Sequence, residues 1–232
     1  MSQLPRTLEE FSKMLDHTAV RPNTTLEDVF RGAREAAEYG VKVFAVNPPY
    51  VKLAKEALGH SDVLIDTSVG YPSGAHLAMV KIFEAEQVVL DGADEVDMVL
   101  NIGALKSRQY SVVEDEIAGV AKVTAGRTLK VILETCYLTD EEKRTACKIC
   151  AGIPGVHFVK TSTGLGPGGA TVHDVELMRS VVRDQLGVKA AGGIRTAEDA
   201  VAMIRAGATR IGTSQGPVVV AGYAEMLEAG KV

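Results

Sequence analysis

Tryptophan is absent from this 232-residue chain, and aromatic residues together make up only 5% of it. Proteins that bind single-stranded nucleic acid stack bases on aromatic side chains, and any phosphodiester-binding face needs a basic excess. The net charge here is -5. We therefore expect no nucleic acid among the partners.

Long apolar segments are also lacking. No apolar run in the sequence approaches the length of a membrane span, and MSQLPRTLEE at the N-terminus has neither the basic nor the apolar segment of a secretory signal. The sequence thus predicts a cytoplasmic protein that does not enter a membrane.

Cysteine is scarce, with three residues, an odd count that fits a disulfide scaffold poorly. Cys147 and Cys150 form a C-x-x-C, but KRTACKICAGI has the pattern of a helix with one apolar face, and no second cysteine pair completes a zinc site. The five histidines are dispersed: His17, His60, His76, His157 and His173. We expect no metal site.

What recurs is a helix, a glycine and a short β-branched strand, as in AAEYG-VKVFAV, GIPG-VHFVKT, RDQLG-VKAA and IRAGA-TRIGTS. The glycine stands where a left-handed helix terminus belongs, and Thr7-x-x-Glu10, Thr25-x-x-Asp28 and Thr196-x-x-Asp199 mark helix starts. Thr139 or Asp140 is suited to cap EEKRTACKIC. The eight predicted strands are 14–18, 41–46, 63–69, 95–100, 129–134, 156–160, 188–192 and 209–213.

Eight strands alternating with helices, without a composition break, predict an α/β fold: a (β/α)8 TIM barrel that forms a single domain over residues 1–232. A doubly wound open sheet is the alternative. It would place G-x-G-x-x-G in its first strand-helix turn, and this turn has no such motif.

Ionisable residues interrupt five of these strands near their carboxyl ends, where such barrels hold their active sites. They are Asp16, Asp97, Glu134, Lys160 and Lys189. Any one of them alone fits a half-exposed strand end with an ion-pair partner. Five together predict a shared site at one mouth of the barrel.

Glycine-rich turns follow the last three predicted strands, in TGLGPGG, AAGGIR and IGTSQG. Backbone N-H groups in such turns, with a helix N-terminus behind them, hold phosphate in many barrels of this type. A lone double glycine would be weak evidence, since it also relieves crowding. Successive turns with Arg195 and Ser214 nearby predict a phosphate site.

The two lysines predict amine chemistry beside that phosphate site. A free lysine has a pKa of about 10.4, so little of it is nucleophilic at neutral pH. A second cation, Lys189, would lower the pKa of Lys160 and let it form an iminium with a carbonyl. Asp97 is suited to proton transfer through a water, and Glu134 to orienting or balancing charge.

These motifs, taken together, resemble the 2-deoxyribose-5-phosphate aldolase family over nearly the whole chain. The resemblance rests on EVDMVLNIGAL, VKTSTG at 159–164, KAAGGIRT at 189–196 and RIGTS at 210–214, with LDHT at 15–18 and VNPPYV at 46–51. It implies a class I aldolase barrel without metal or organic cofactor. The implied reaction is reversible cleavage of 2-deoxy-D-ribose 5-phosphate to D-glyceraldehyde 3-phosphate and acetaldehyde, in deoxynucleoside catabolism.

The resemblance also assigns roles to residues. Lys160 matches the Schiff-base lysine, Lys189 the second lysine, Asp97 the proton-relay aspartate and Asp16 an aspartate that contacts the second lysine. The implied phosphate-binding residues are Gly164, Gly192, Gly193, Gly212 and Ser214.

Some positions depart from the family pattern. Ala45 stands at a frequent cysteine, Leu165 at a lysine of some members and Gln215 at a common serine. The last two bear on phosphate affinity. Some members use a C-terminal tyrosine in proton transfer, whereas this sequence ends in Lys231-Val232, so we expect water or no group in that role.

Two rival functions stay open at this point. One is another phosphosugar aldolase or an isomerase on the same barrel, and an isomerase would need a carboxylate or histidine base instead of an imine-forming lysine. The other is a non-catalytic phosphosugar-binding barrel, which would have no use for Lys160, Lys189 and Asp97. A homodimer is expected, since closed symmetric dimers are the commonest assemblies.

Overall fold

Eight parallel strands close into a barrel in chain order, each hydrogen-bonded to the next and the last to the first. The structure is a computed structural model that describes residues 4–232. The strands are β1 Leu15–Ala19, β2 Val43–Val46, β3 Leu64–Val69, β4 Glu95–Val99, β5 Thr128–Ile132, β6 Val156–Lys160, β7 Gly187–Ala191 and β8 Arg210–Thr213. The predicted (β/α)8 barrel is confirmed.

Helices connect the strands and cover the barrel. They are α1 Leu8–Ser12, α2 Leu26–Glu38, α3 Val51–Leu58, α4 Ala78–Leu90, α5 Ile102–Lys106, α6 Tyr110–Val123, α7 Asp140–Gly152, α8 Val172–Val182, α9 Ala197–Arg205 and α10 Gly216–Glu228. Within residues 4–232, none of them is long and apolar enough to cross a membrane.

The predicted helix starts are present. Thr25, Thr139 and Thr196 each begin a complete capping box, in which the hydroxyl accepts from the third helical N-H and the acidic side chain there accepts from the cap N-H. Thr7 accepts a hydrogen bond from the Glu10 N-H. These contacts fix the residue at which each of these helices begins.

Two strand limits differ from the prediction by two residues, for local reasons, and the other limits agree to within one residue. Val41 donates its N-H to Ala36 O in the turn that closes α2, so β2 begins at Val43 and not at residue 41. Glu134 has φ +53°, which ends the extended run, and β5 stops at Ile132. The predicted segment 129–134 was therefore too long at its carboxyl end.

One predicted helix terminus is wrong. Gly187 of RDQLG lies in β7 and has no positive φ, whereas Gly40 and Gly207 do occupy left-handed turns after helices. A Cβ at position 187 would lie 2.1 Å from the Phe158 ring. Glycine is needed there because Phe158 fills the barrel beside it, while Arg183, at φ +47°, ends α8.

Strand residues alternate between two environments. Phe44 and Val46 of β2 belong to the apolar layer between the barrel and its helices, and Gly32 of α2 packs on the Phe44 ring. The inward positions of several other strands carry charged side chains instead of the branched apolar residues usual in such barrels. The candidate site grows out of this charged interior.

Candidate active site in the barrel mouth

Four predicted site residues meet inside the barrel. Asp16, Asp97, Lys160 and Lys189 are all buried, with side-chain nitrogens and oxygens in mutual contact. Lys160 is the last residue of β6, as predicted. Asp16, Asp97 and Lys189 were expected at strand ends, and this is wrong, because each lies inside its strand.

Lys160 and Lys189 share one carboxylate. Asp97 Oδ2 accepts a hydrogen bond of 2.7 Å from Lys160 Nζ and one of 2.8 Å from Lys189 Nζ. The two lysines are register partners on adjacent strands, so their amines approach the same oxygen from neighbouring positions. The arrangement places a carboxylate within proton-transfer distance of the amine.

Lys189 is surrounded by carboxylates. Its Nζ lies 2.5 Å from Asp16 Oδ2 and 3.1 Å from Asp66 Oδ2, in addition to the contact with Asp97. Arg210 Nη1 donates to Asp16 Oδ1 at 2.6 Å and holds that carboxylate from the other side. Lys189 is thus fixed as a cation beside the Lys160 amine.

Sequence reasoning missed four charged residues of this interior. They are Asp66, Glu95, Lys130 and Arg210. Lys130 Nζ donates to Asp97 Oδ1 at 2.7 Å and lies 2.7 Å from Glu95 Oε2. Arg210 Nη2 donates to both oxygens of Glu95, at 2.7 and 3.0 Å. Each stands inside a predicted strand, so the signal that identified Asp97 was present at these positions too.

The electrostatics make Lys160 easier to deprotonate than Lys189. Burial is the largest influence on Lys160 and lowers its pKa; Asp97 opposes this effect and Lys189 reinforces it. The predicted effect of Lys189 has the right sign, but burial outweighs it. Burial also disfavours the Lys189 ammonium, yet the carboxylates of Asp16, Asp97 and Asp66 raise its pKa well above the usual value.

Asp97 stays ionised between these amines. Burial favours its protonated form, but the neighbouring cations, Lys130 first and then Lys160 and Lys189, hold its pKa well below the usual range. An ionised carboxylate that touches a neutral amine is able to accept a proton from a group bound at that amine.

A pocket of about 650 Å³ opens above Lys160. All five predicted phosphate-binding residues line it: Gly164, Gly192, Gly193, Gly212 and Ser214. Three of these glycines have positive φ, between +82° and +89°. A Cβ on Gly169 would lie 2.3 Å from Gly192 O, so the turns after β6 and β7 pack backbone on backbone.

The pocket lining also includes residues at a helix N-terminus. Ser214 follows β8 and stands two residues before Gly216, the first residue of α10. The first N-H groups of a helix are unpaired and carry partial positive charge, which suits an anion. The three departures from the family pattern, Ala45, Leu165 and Gln215, also line this pocket.

Glu134 supports the segment that follows Lys160. Its buried carboxylate accepts from the Thr163 N-H at 3.3 Å and from the Thr163 hydroxyl, and Tyr71 Oη donates to Thr163 O at 2.8 Å. Burial raises the pKa of Tyr71, which keeps the hydroxyl a donor. Glu134 therefore orients the turn before Gly164 and does not contact the four-residue cluster by hydrogen bond or ion pair within the described chain.

The cysteine pair and one cluster that contains a histidine lie away from the barrel interior. Cys147 and Cys150 are both buried in α7, as the helix reading predicts, and burial raises the pKa of each thiol. Among residues 4–232 one acidic and histidine cluster has metal-ligand spacing: Asp140, His173 and Asp174. The Lys143 ammonium already lies 2.6 Å from Asp174 Oδ1 and 3.3 Å from Asp140 Oδ1, so it forms an ion pair with each of these carboxylates.

Comparison with known proteins decides the family. The model of the DeoC/LacD family aldolases matches residues 11–223. The chain belongs to this aldolase family. The chain is 53% identical to the deoxyribose-phosphate aldolase of Thermococcus kodakarensis over 217 residues, which are 92% of this chain and 96% of that protein.

Two further relatives agree. The deoxyribose-phosphate aldolase of Caldanaerobacter subterraneus subsp. tengcongensis is 51% identical over 223 residues, 95% of this chain and 96% of that one. A tetrameric deoxyribose phosphate aldolase from Aeropyrum pernix superposes with a TM-score of 0.85 at 32% identity, covering 95% of this chain and 93% of that one. The resemblance drawn from the sequence is confirmed, and the chain is an aldolase.

Proposed function

We propose that this aldolase cleaves 2-deoxy-D-ribose 5-phosphate to D-glyceraldehyde 3-phosphate and acetaldehyde through an imine on Lys160. The observation that carries the proposal is the Lys160 amine: it is buried, its pKa is lowered, and it faces the pocket while touching Asp97. Relatives at 51–54% identity named deoxyribose-phosphate aldolase support the substrate.

The chemistry begins with the neutral Lys160 amine, which attacks the C1 aldehyde of the open-chain sugar. Asp97 supplies and removes protons, through a water, as the carbinolamine loses hydroxide as water and becomes an iminium. The C3 hydroxyl then gives its proton to Asp97 through a water, the C2-C3 bond breaks with release of glyceraldehyde 3-phosphate, and the electron pair of that bond moves into the enamine. Protonation at C2 and hydrolysis release acetaldehyde and restore Lys160.

The phosphate of the sugar is held by the turns after β6, β7 and β8. Gly192, Gly193 and Gly212 let the backbone approach an anion closely, and Ser214 adds a hydroxyl next to the start of α10. Binding energy from this remote group is available to position C1 against Lys160.

The experiment is product analysis with purified protein and excess chelator. Incubation with 2-deoxyribose 5-phosphate is expected to give acetaldehyde and glyceraldehyde 3-phosphate in equal amounts, unaffected by the chelator. Ribose 5-phosphate serves as the control for an isomerase, because it has the C2 hydroxyl that aldose-ketose isomerisation needs and the deoxy sugar lacks. Its conversion to a pentulose phosphate, without cleavage of the deoxy sugar, would indicate an isomerase, and loss of activity with chelator would indicate a metal-dependent aldolase. Either result, or no turnover of any phosphosugar, contradicts the proposal.

The assembly and location also belong to this proposal: a cytoplasmic single-domain enzyme that forms a homodimer. Exposed apolar side chains on one face of α4 support self-association, since Met79 is 70%, Phe83 62% and Leu90 73% exposed, next to Leu77 at 70%. Light scattering after size exclusion is expected to give twice the 24.6 kDa chain mass. Phe83→Lys is expected to shift it to the monomer, and a native monomer contradicts the dimer.

A further inference from the structure

A continuous line of contacts leads from Lys160 to a carboxylate that has no role in the chemistry above. Lys160 Nζ lies 2.7 Å from Asp97 Oδ2, that oxygen 2.8 Å from Lys189 Nζ, and that nitrogen 3.1 Å from Asp66 Oδ2. Asp66 is fully buried on β3. Its other oxygen, Oδ1, makes no hydrogen bond within residues 4–232.

The charges of this interior balance only while Lys160 is protonated. Four cations and four carboxylates are buried together: Lys130, Lys160, Lys189 and Arg210, with Asp16, Asp66, Glu95 and Asp97. A nucleophilic Lys160 has lost its proton, which leaves one excess negative charge among these buried groups. An uncompensated buried charge is costly, so a carboxylate of the cluster that takes up the proton stabilises the neutral amine.

Asp66 is the carboxylate best placed to accept that proton. Burial and the Asp97 charge raise its pKa to about 6, against the opposing effect of Lys130 and Lys189. Burial would raise the pKa of the other two aspartates, but neighbouring cations outweigh it. They hold the pKa of Asp97 well below its usual value and that of Asp16 below its usual value. Glu95 receives two hydrogen bonds from Arg210 and an ion pair from Lys130.

The remaining neighbours of Asp66 offer no competing acceptor. Strand β2, which pairs with β3 beside it, contains no titratable residue, and β5, β6, β7 and β8 face it with Lys130, Lys160, Lys189 and Arg210. Tyr71, beyond the end of β3, is a neutral hydroxyl because burial raises its pKa.

We propose that Asp66 is a positioning residue for Lys160: it takes up the proton that Lys160 must lose before attack, acting through Asp97 and Lys189. Lys160 gives a proton to Asp97 Oδ2, Lys189 gives one to Asp66 Oδ2, and Lys189 regains one from Asp97. In sum one N-H bond of Lys160 breaks and one O-H bond forms on Asp66. Asp97 and Lys189 end with the charges they began with, and no charge leaves the barrel.

This relay gives imine formation a distinctive dependence on pH. Lys160 and Asp66 together hold two protons at low pH and none at high pH. When one proton remains, it lies either on Lys160 or on Asp66, and the ratio of these two forms does not change with pH because they hold equal numbers of protons. As pH rises, the loss of the first shared proton creates some neutral Lys160, and the loss of the second creates the rest. The rate is therefore expected to rise in two limbs, the lower near pH 6.

The inference rests on the proposed imine at Lys160, and its test separates the two. Trapping of the acetaldehyde imine with cyanoborohydride is followed by mass, from about pH 5 to about pH 10, in native protein and Asp66→Asn. Native protein is expected to show two limbs. Asp66→Asn is expected to show one limb that lies between them, because Lys160 then titrates alone beside a neutral neighbour.

Two variants serve as controls. Glu95→Gln removes a negative charge from the same cluster without touching Lys189, and it is expected to keep two limbs. Asp66→Glu restores a carboxyl group and is expected to keep two limbs at shifted positions. Circular dichroism of each variant verifies folding before trapping.

The outcomes distinguish failure of the Asp66 relay from failure of the imine on Lys160. A single limb in native protein, or two limbs in folded Asp66→Asn, overturns the relay while leaving the imine in place. Absence of acetaldehyde mass on Lys160 in native protein overturns the proposed function itself. Should Asp66→Asn not fold, the native profile and Asp66→Glu still decide, since a single limb in either one overturns the relay.

Discussion

Lys160 of β6 and Lys189 of β7 stand side by side in the barrel, and one oxygen of Asp97 accepts a hydrogen bond from each. The amines differ in what lies beyond that oxygen. Lys189 has further carboxylates around it, and the pKa of Lys160 is lowered chiefly by burial. One lysine is thereby kept charged while its neighbour becomes the nucleophile.

This division of roles predicts the effect of replacing Lys189. In Lys189→Leu the repulsion on Lys160 is lost while the carboxylates remain, so the pKa of Lys160 rises and imine formation at neutral pH slows. Leaving buried carboxylates without their cation is expected to cost about 3–5 kcal/mol of unfolding free energy. The measurement is the pH at which trapping reaches half of its maximum. Lys189→Arg, which keeps the cation, is expected to shift it less, and an unshifted Lys189→Leu contradicts the electrostatic role.

The glycine turns predict a charge-specific loss of affinity. Gly193 has φ +82° and open space where its Cβ would be, on the pocket wall, so Gly193→Asp places a carboxylate where the phosphate binds. We expect KM for the phosphorylated sugar to rise about tenfold or more, as 1.4 kcal/mol of lost binding implies. Unphosphorylated deoxyribose is expected to be affected less.

Gly126 provides a matched control, because it also has positive φ and open space but precedes β5 at the opposite end of the barrel. Gly126→Asp is expected to leave KM unchanged, and Gly193→Ala separates backbone strain from charge. Equal KM values for Gly193→Asp and Gly126→Asp would exclude the phosphate from these turns.

Removal of the Glu134 carboxylate is expected to disturb the segment at Thr163 and to leave the Lys160 nucleophile intact. Its carboxylate holds Thr163, three residues after Lys160, and a hydrogen bond to a charged group contributes about 1.5–3 kcal/mol. Glu134→Ala is expected to lower kcat/KM by about 10- to 100-fold, while trapping still labels Lys160. Glu134→Gln keeps an acceptor and is expected to lose less. Native kinetics in Glu134→Ala would show that Thr163 needs no such support.

The raised pKa of Asp66 predicts that the stability of the protein changes with pH. Its folded pKa of about 6 lies above its usual value of 3.8, so its contribution to stability is fully present below about pH 4 and is lost as pH rises through 6. Two pKa units at about 1.4 kcal/mol each give about 3 kcal/mol. The unfolding free energy of native protein, relative to Asp66→Asn, is expected to fall by about that amount between pH 4 and 7. Urea titrations at both pH values measure it, and a constant difference contradicts the raised pKa.

The fold and the nucleophile could be predicted from sequence because both leave a local signal. Strand, glycine and capping patterns repeat along the chain, and Lys160 and Asp97 interrupt runs that are otherwise apolar. Lys130 and Asp66 interrupt their runs in the same way, but nothing local says which strand faces which. Asp97 meets Lys130 by register on β5, while Asp66 meets Lys189 across the barrel, and only closure brings these pairs together.

Mass analysis after borohydride reduction with acetaldehyde tests whether Lys160 is the nucleophile. We expect the two-carbon label on the peptide containing Lys160, no label in Lys160→Met, and no label on Lys189. Label on Lys189 would reverse the assignment of the two lysines, and native protein without label on either would contradict the imine mechanism.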